Sequence, residues 1–378
     1  MKVYLLYNRF MDRFGKVRKI GGVETYTMSL AHLMQRLGYG PVICQMSAIE
    51  FHIVEEGVEV KGFPVKSIKA LYRCISGEVD PSSDLVVFMN DQSAARVKGV
   101  KTLGIQHGIY WDIPRNSGPY FLYYLQRAKQ VVKALCDFGK TRYSVCVDYN
   151  FYNWYKTFNL KAHHGNKEFW IIPNYANEYL DVESLERRLE KRRDSDVLRI
   201  MFARRFYEFR GAVIFTCAVK RILEEYPGVC VTFAGEGPYE HYIREALSSF
   251  RDRVEIIKYL PDESFKIHLR HDIAVVPTTG SEGTSLSLLE AMGAGCIVVC
   301  TPVGGMSNIV LDGYNGFLTM PDAEALYHTL KKAIASRNDG TIVRNAVATV
   351  RTSFSRNKWE ESWTMILRYI LAGENLWH

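Results

Sequence analysis

Two carboxylates stand eight positions apart in the run Val276-Pro-Thr-Thr-Gly-Ser-Glu-Gly-Thr-Ser-Leu-Ser-Leu-Leu-Glu-Ala-Met-Gly-Ala-Gly-Cys. The apolar residues before Pro277 predict a buried strand. The small residues after it predict a turn, and a helix opening near Thr284 or Ser285 and ending at Gly293 and Gly295. A strand that feeds a helix through such a turn leaves backbone N–H groups of the first helical turn pointing outward, at the positive end of the helix dipole. That is an anion site, and a pyrophosphate would be held there without a metal. Glu290 lies among Leu288, Leu289, Ala291 and Met292, where a charge is costly unless it has a partner. The paired hydroxyls of a ribose match its two oxygens. Glu282 stands just outside the helix start, placed to accept from a sugar hydroxyl. The plain alternatives are a dipole-balancing Glu282 and a solvent-facing Glu290, and the turn with its glycines favours the functional reading.

Cations and glycines elsewhere fit the same chemistry. Phe202-Ala-Arg-Arg-Phe-Tyr-Glu-Phe-Arg-Gly follows a predicted strand. Arg205 and Arg210 are its candidate diphosphate clamps, with Arg204 able to exchange roles with Arg205; a guanidinium can neutralise a departing diphosphate through two parallel hydrogen bonds. Gly21 and Gly22, in Lys19-Ile-Gly-Gly-Val-Glu, allow backbone to approach a phosphate closely. The Arg13, Lys16, Arg18 and Lys19 side chains before them meet an anionic acceptor or are simply solvated. His107 follows the predicted buried strand Thr102–Gln106 at its carboxyl end, where open α/β sheets bind ligands. Trp111 and Asp112 are candidates for the acceptor side.

The elements that must position these residues alternate. Strands are expected at Lys2–Tyr7, Gly40–Gln45, Asp84–Asn90, Thr102–Gln106 and Ser144–Asp148, with helices at Val23–Leu37 and Gly118–Leu135. The densely charged stretch Asp181–Asp196 reads as a domain junction. Strands then recur at Leu198–Ala203, Cys230–Ala234, Asp272–Pro277 and Cys296–Cys300. Helices are expected at Ala212–Tyr226, Ser285–Met292, Ala323–Ala335 and Lys358–Ala372. Such alternation predicts parallel sheets wrapped by helices, and a length of 378 residues suits two cores.

The long run around Glu282 and Glu290 resembles the E-x7-E signature of the retaining GT-B glycosyltransferases of glycosyltransferase family 4. Pro277, Glu282, Gly283, Leu286, Leu289, Glu290, Ala291, Met292 and Gly295 fall in register with it. Thr284 and Ser285 replace the usual Phe-Gly, and Cys296 departs from the residues common after the last glycine. The run from Phe202 is similar to the family's G-R-L-x-x-x-K-G, with Arg205 at the Arg and Arg210 at the Lys position. Gly21–Glu24 and His107 resemble the family's N-terminal glycine loop and the His that reaches the transferred sugar. Ile172-Pro-Asn, Gly235-Glu-Gly-Pro, Tyr259-Leu-Pro, Gly304-Gly305 and Asp312-Gly-Tyr-Asn-Gly are weaker echoes.

The resemblance implies an α/β fold of the GT-B kind, with two Rossmann-like domains whose parallel sheets face each other across a cleft. The expected domains are 1–178 on the acceptor side and 179–354 for the nucleotide sugar, with a helix at 355–378 returning to the first. It implies catalytic roles for Glu282, Arg205, Arg210 and His107. Donor contacts are expected from Gly21, Gly22, Gly235, Tyr259, Leu260, Gly283, Thr284, Ser285, Leu286 and Glu290. It implies a hexosyltransferase-type reaction that retains configuration, uses no metal or other cofactor, and moves a sugar from a nucleotide diphosphate to a glycan or lipid-linked acceptor. Surface polysaccharide or lipopolysaccharide assembly is the expected setting. The alternatives are a GT-B epimerase or phosphorylase, or a nucleotide-sugar-binding protein without catalysis. A dehydrogenase is disfavoured because no G-x-G-x-x-G follows the first strand.

Composition bounds the partners. Residues 1–180 hold 23 Lys and Arg against 15 Asp and Glu, so +8; the remainder holds 25 against 26, which gives the net +7. The basic half suits an anionic acceptor or an anionic membrane surface, or is a solubilising face; nucleic acid is not expected. No stretch reaches the roughly 18 uncharged apolar residues of a membrane span. The apolar run at Met1–Asn8 is too short for a signal peptide, so the chain reads as cytoplasmic, with possible contact at the inner face of the membrane. The run Tyr120-Phe-Leu-Tyr-Tyr-Leu-Gln-Arg-Ala-Lys offers a membrane-docking face, although a core helix with snorkelling basic ends is the favoured reading. The eight cysteines form no C-x-x-C pair, which predicts neither a disulfide framework nor a zinc site.

Overall fold

A computed structural model of the chain describes residues 1–19, 21–109, 111–112, 119–158, 167–280 and 282–374. Ile20 of the glycine loop, Gly118 at the expected helix start, Ser281 of the acidic turn and the last residues of the 355–378 segment lie outside that set.

The chain divides into two compact units, one of residues 1–107, 117–172 and 360–378, the other of 108–116 and 173–359. The changeovers fall at Ile172–Pro173 and Trp359–Glu360 rather than near 178 and 354. The first unit holds β1 (Lys2–Tyr7), α1 (Gly22–Arg36), β2 (Gly40–Met46), β3 (Phe51–Glu55), β4 (Val58–Phe63), α2 (Ile68–Ile75), β5 (Leu85–Phe88), β6 (Lys101–Gln106), α3 (Tyr120–Phe138), β7 (Tyr143–Cys146), α4 (Tyr149–Phe158) and β8 (Glu168–Ile171). Its sheet runs β3-β4-β2-β1-β5-β6-β7-β8 and is parallel except at the β3–β4 hairpin. That hairpin is missing from the expected elements; it turns at Glu56–Gly57, where both residues take positive φ.

The second unit holds α5 (Val182–Arg193), β9 (Leu198–Ala203), α6 (Ala212–Glu225), β10 (Val229–Ala234), α7 (Glu240–Ala246), β11 (Val254–Ile257), α8 (Ser264–His268), β12 (Ile273–Val276), α9 (Leu286–Gly293), β13 (Ile297–Cys300), β14 (Phe317–Leu318), α10 (Ala323–Ala335) and α11 (Gly340–Ser353). The charged stretch expected to be a junction is instead α5. Its Asp181 N-cap accepts from the Ser184 amide, Leu185 and Leu189 bury one stripe, and Arg192 is buried with them against Asp272 and the Gly295 carbonyl; the exposed charges are the solvated face of an amphipathic helix. Helix α12 (Arg356–Ala372) follows and joins the first unit from Glu360. There the fully buried Trp363 donates its indole N–H to the Tyr26 hydroxyl of α1 at 3.0 Å.

The second sheet is wholly parallel and runs β11-β10-β9-β12-β13-β14. Strand order reverses between β9 and β12, and a crevice opens at the carboxyl ends of such a pair. Both faces of the sheet are covered. Ile273, Val275, Ile297 and Val299 point into a core with Phe202, Phe206, Phe215 and Phe233. Ala274, Val276, Val298 and Cys300 point the other way, against Leu288, Leu289 and Met292 of α9. Unbroken apolar runs in β12 and β13 follow from burial on both sides. Removing one of the enclosed phenyl rings would cost about 3–5 kcal/mol.

Helix α3 departs from the favoured sequence reading. Only Ala134, Asp137 and Phe138 of its 19 residues are buried, so its aromatic amino-terminal half is not core. Among the described residues no helix is long and apolar enough to cross a membrane.

One glycine ties the loops at the strand-order reversal together. Gly211 has φ +86°, and a Cβ there would sit 2.1 Å from the Pro277 carbonyl oxygen at the end of β12. Gly211→Ala is therefore expected to destabilise the protein by at least about 2 kcal/mol, read as a lowered midpoint in urea. An unchanged midpoint would contradict this loop contact.

Candidate active site

The reversal point brings together the segment after β9 and the turn after β12. Beyond Ala203 the chain bends at Arg204, and the Tyr207 amide closes a tight turn on the Arg205 carbonyl at 2.9 Å. Phe206 is fully buried, Arg204 keeps 8% of its side chain exposed, and Arg205 faces solvent. Arg204 donates through Nη2 to Glu282 Oε2 at 2.5 Å and through Nη1 to Ser285 Oγ at 3.1 Å. Arg210 donates through Nη1 to the same Oε2, which also accepts from Thr278 Oγ1 at 3.3 Å. The expected pairing is thus shifted by one residue: Arg204, not Arg205, joins Arg210 at Glu282. Arg205 lines a polar depression of about 530 Å³ with Tyr207, Glu236, Gly237, Glu240 and Lys258. The bend at Arg204 and the turn that buries Phe206 are the reason: they leave Arg204 on the inner side and Arg205 in solvent.

Two guanidinium groups on one carboxylate leave the cluster with a net positive charge. Only 11% of the Glu282 side chain is exposed, so little water screens it. Burial pulls the Arg210 guanidinium below its ordinary value, Glu282 opposing. A partly buried excess of positive charge is an acceptor for an anion.

Glycines bring the surrounding backbone close. Gly235, φ +151°, would place a Cβ 2.2 Å from the Arg204 carbonyl oxygen. Its role is to let the β10 loop lie against Arg204, which positions that side chain. On the other flank Gly305 donates its amide to the Glu282 carbonyl at 3.3 Å.

Helix α9 starts at this cluster. Ser285 is its N-cap, but makes no side-chain cap to the first-turn amides; its hydroxyl receives Arg204 instead. Thr284 is buried, and its carbonyl accepts from Asn174 Nδ2 at 2.8 Å. Gly283 and Leu286 flank them, both half-buried. Ser287 Oγ donates to the Ala203 carbonyl at 3.0 Å, pinning the helix start to the end of β9.

Glu290 lies about one turn into α9. Its Oε2 accepts from Ser264 Oγ of α8 at 2.7 Å. Burial raises the carboxyl from its ordinary range to about 7, against the Ser264 hydrogen bond. Tyr259 stands beside it and is itself pushed up to about 12, by burial first and then by the Glu290 charge. Leu260 is exposed. Sequence reasoning missed Ser264, Thr278 and Asn174. A hydroxyl in Pro261-Asp-Glu-Ser carries no spacing signal, whereas Thr278 and Asn174 each stand in a noted run.

Gly21, Gly22 and His107 belong to the first unit. Gly21 precedes α1 in extended backbone, and a Cβ on it would lie 2.3 Å from Glu24 Oε2. The Glu24 carboxylate, which accepts from Tyr7 at 3.1 Å, therefore stands at that helix start. His107 Nε2 donates to the Met89 carbonyl at 2.9 Å, and its ring meets Tyr26 edge-on at 5.1 Å. Burial lowers its value to about 4, so the ring is neutral at physiological pH, with Nδ1 the acceptor nitrogen. Trp111 is buried and Asp112 exposed.

Residues 198–336 match the family described as glycosyl transferases group 1. A human phosphatidylinositol N-acetylglucosaminyltransferase subunit is 23% identical over 265 residues, covering 68% of this chain and 51% of that protein. The lipopolysaccharide 1,2-N-acetylglucosaminetransferase of Salmonella typhimurium is 25% identical over 206 residues, covering 50% and 53%. The chain thus spans about half the length of these two curated relatives. Among solved structures, sucrose-phosphate synthase from Thermosynechococcus elongatus superposes with a TM-score of 0.77 at 15% identity, over 99% of this chain and 100% of that one. Anabaena HepE in complex with UDP gives 0.72 at 16%, over 97% and 99%. The fold is GT-B.

A ribose held by the ionised form of Glu290 competes with a proton there. Nucleotide affinity is expected to be flat above pH 7 and to weaken about tenfold per unit below it, because the protonated carboxyl accepts poorly. Titration calorimetry from pH 5.5 to 8 checks this. Glu290→Gln should be weaker throughout and lose the slope, and a wild-type profile without one would refute the assignment.

Proposed function

We propose that this chain is a retaining, metal-independent glycosyltransferase of glycosyltransferase family 4. It moves a sugar from a nucleoside diphosphate to a glycan or lipid-linked acceptor, in surface polysaccharide or lipopolysaccharide assembly on the cytoplasmic side of a membrane. The reading is carried by the net-positive Arg204–Glu282–Arg210 cluster at the uncapped start of α9, with Glu290 about one turn on.

Chemistry follows from that arrangement. The bond between the sugar's anomeric carbon and the diphosphate oxygen breaks, leaving negative charge on the diphosphate. Arg204, Arg210 and the first amides of α9 stabilise it as it develops. Glu282 holds both guanidinium groups in place and offers the sugar a hydroxyl acceptor. Glu290 accepts from the ribose. The acceptor hydroxyl adds to the anomeric carbon on the face the diphosphate leaves, and its proton passes to a diphosphate oxygen. The neutral His107 ring contributes hydrogen bonding to the sugar rather than charge. Metal independence rests on the cations already present, which supply the charge that a divalent ion supplies elsewhere. The two N-acetylglucosaminyl relatives and the HepE complex with UDP favour UDP-sugars as the first donors to assay.

Transfer is measured as acceptor-dependent release of nucleoside diphosphate. Arg204→Ala and Arg210→Ala should each lower kcat about 10²–10³-fold, while Arg205→Ala should change it less than about threefold. Activity should persist in EDTA. Loss in EDTA with recovery on adding Mn²⁺ or Mg²⁺ would contradict the metal-free reading, and an Arg205 effect equal to that of Arg204 would contradict the site.

A further inference from the structure

Helix α3 carries an apolar stripe on the wrong side for a core. Phe121, Leu125, Ala128 and Val132 recur at i, i+4, i+7 and i+11, which places them on one line along the helix. Phe121 is 71% exposed, Leu125 51% and Val132 60%, with Leu122 and Tyr124 beside them at 59% and 65%. The opposite line, through Tyr123, Arg127, Gln130 and Ala134, faces the body of the unit and is half or wholly buried. The outward face is therefore the greasier one, the reverse of an ordinary surface helix. A contiguous exposed apolar patch of this kind marks an interaction site.

Its surroundings specify the partner. Residues 120–142 hold five Lys and Arg, among them the exposed Lys129 and Lys133, against Asp137 alone. Helix α4 packs on α3 through Phe138, Phe151 and Tyr155, and exposes Trp154 and Phe158, stacked at 5.5 Å. The hairpin after β1, closed by the Met11–Arg18 bridge, exposes Phe14 and Val17 among Arg13, Lys16 and Arg18. That hairpin and the start of α3 follow strands β1 and β6, which only β5 separates in the sheet. Strands β1 and β6 end on the same edge of that sheet, about 10 Å apart in strand spacing. Phe, Tyr, Trp and Leu interleaved with Lys and Arg is the composition of a surface that sits in the headgroup layer. The rings enter the acyl boundary and the cations meet anionic phosphates. A protein partner or a second copy would cover the stripe equally well, but it would gain nothing from the one-signed charge around it.

We propose that this edge of the first unit docks on an anionic phospholipid bilayer, with Phe121, Leu125 and Val132 as the inserted side chains and Lys129 as a headgroup contact. The proposal does not rest on the glycosyl-transfer reading, since its measurement is lipid binding.

The test is flotation of the full chain with phosphatidylcholine vesicles, with and without phosphatidylglycerol. Expected are binding to the phosphatidylglycerol vesicles alone, weakening as salt rises, and a blue shift of tryptophan emission. Phe121→Ser with Leu125→Ser should reduce binding at least about tenfold. Lys129→Glu, which touches no core residue, should reduce the preference for anionic lipid. The nucleotide thermal shift of each variant, taken on the same samples, should match wild type, which shows that the fold is intact and separates this proposal from the enzymatic one. Wild type remaining unbound, or both variants floating as wild type does, overturns the proposal. A concentration-dependent dimer that the Phe121→Ser, Leu125→Ser variant abolishes, without vesicle binding, assigns the stripe to a second copy and also overturns it.

Discussion

The candidate site depends on one shared acceptor. A single oxygen of Glu282 receives both Arg204 and Arg210, and those arginines reach it from the loop after β9 while Glu282 comes from the turn after β12. Without that carboxylate two guanidinium groups would repel each other in a poorly screened place. With it, they are fixed beside the start of α9. The strand order creates the opening, because β9 and β12 are where winding reverses. The glycines at 211 and 235 allow the backbone of these loops to close on one another at distances that a side chain forbids. Fold and charge are two parts of one construction. The doubly covered sheet fixes the strand ends, and the strand ends fix the arginines.

Glu290 extends the same logic inward. It sits beyond the net-positive cluster, shielded from water, with Ser264 as its hydrogen-bond partner, and its proton is held to about pH 7. A carboxyl kept half-protonated in an apolar setting is unfavourable for folding alone. Such cost is common where a protein keeps a group ready for a ligand. The contrast with Glu282, ionic and clamped, gives the two acids of one turn and helix separate duties. The first unit shows a comparable economy: His107 is neutral because it is buried, so what it brings is a hydrogen-bonding ring rather than a charge.

Much of the frame is legible in the residues. Strands Lys2–Tyr7 and Leu198–Ala203 and helix Ala323–Ala335 fall where apolar periodicity and flanking turn residues put them. The Glu282–Glu290 run is readable because turn, glycines and acids occur in one continuous segment. What fails does so for physical reasons. Asp181–Asp196 looks like a junction because its charges outnumber the two leucines that bury it. The β3–β4 hairpin is short, and its pattern is half-exposed. Spacing favours Arg205 over Arg204 because it does not show the bend at Arg204 that turns one side chain inward and leaves the other in solvent. Ser264 reaches Glu290 from another helix, a pairing that only the folded chain displays. Helix α3 looks like core because periodicity reports that an apolar stripe exists, not which way it points.

The most direct test of the central claim is the affinity difference between a nucleoside diphosphate and its monophosphate, measured calorimetrically in EDTA for wild type and for the Arg204→Ala, Arg210→Ala double variant. If the two guanidinium groups and the start of α9 hold the second phosphate, wild type should prefer the diphosphate by at least about a hundredfold, and the variant should lose most of that preference while still binding the monophosphate. Equal preference in the two proteins would show that the diphosphate is held elsewhere, and the account would fall.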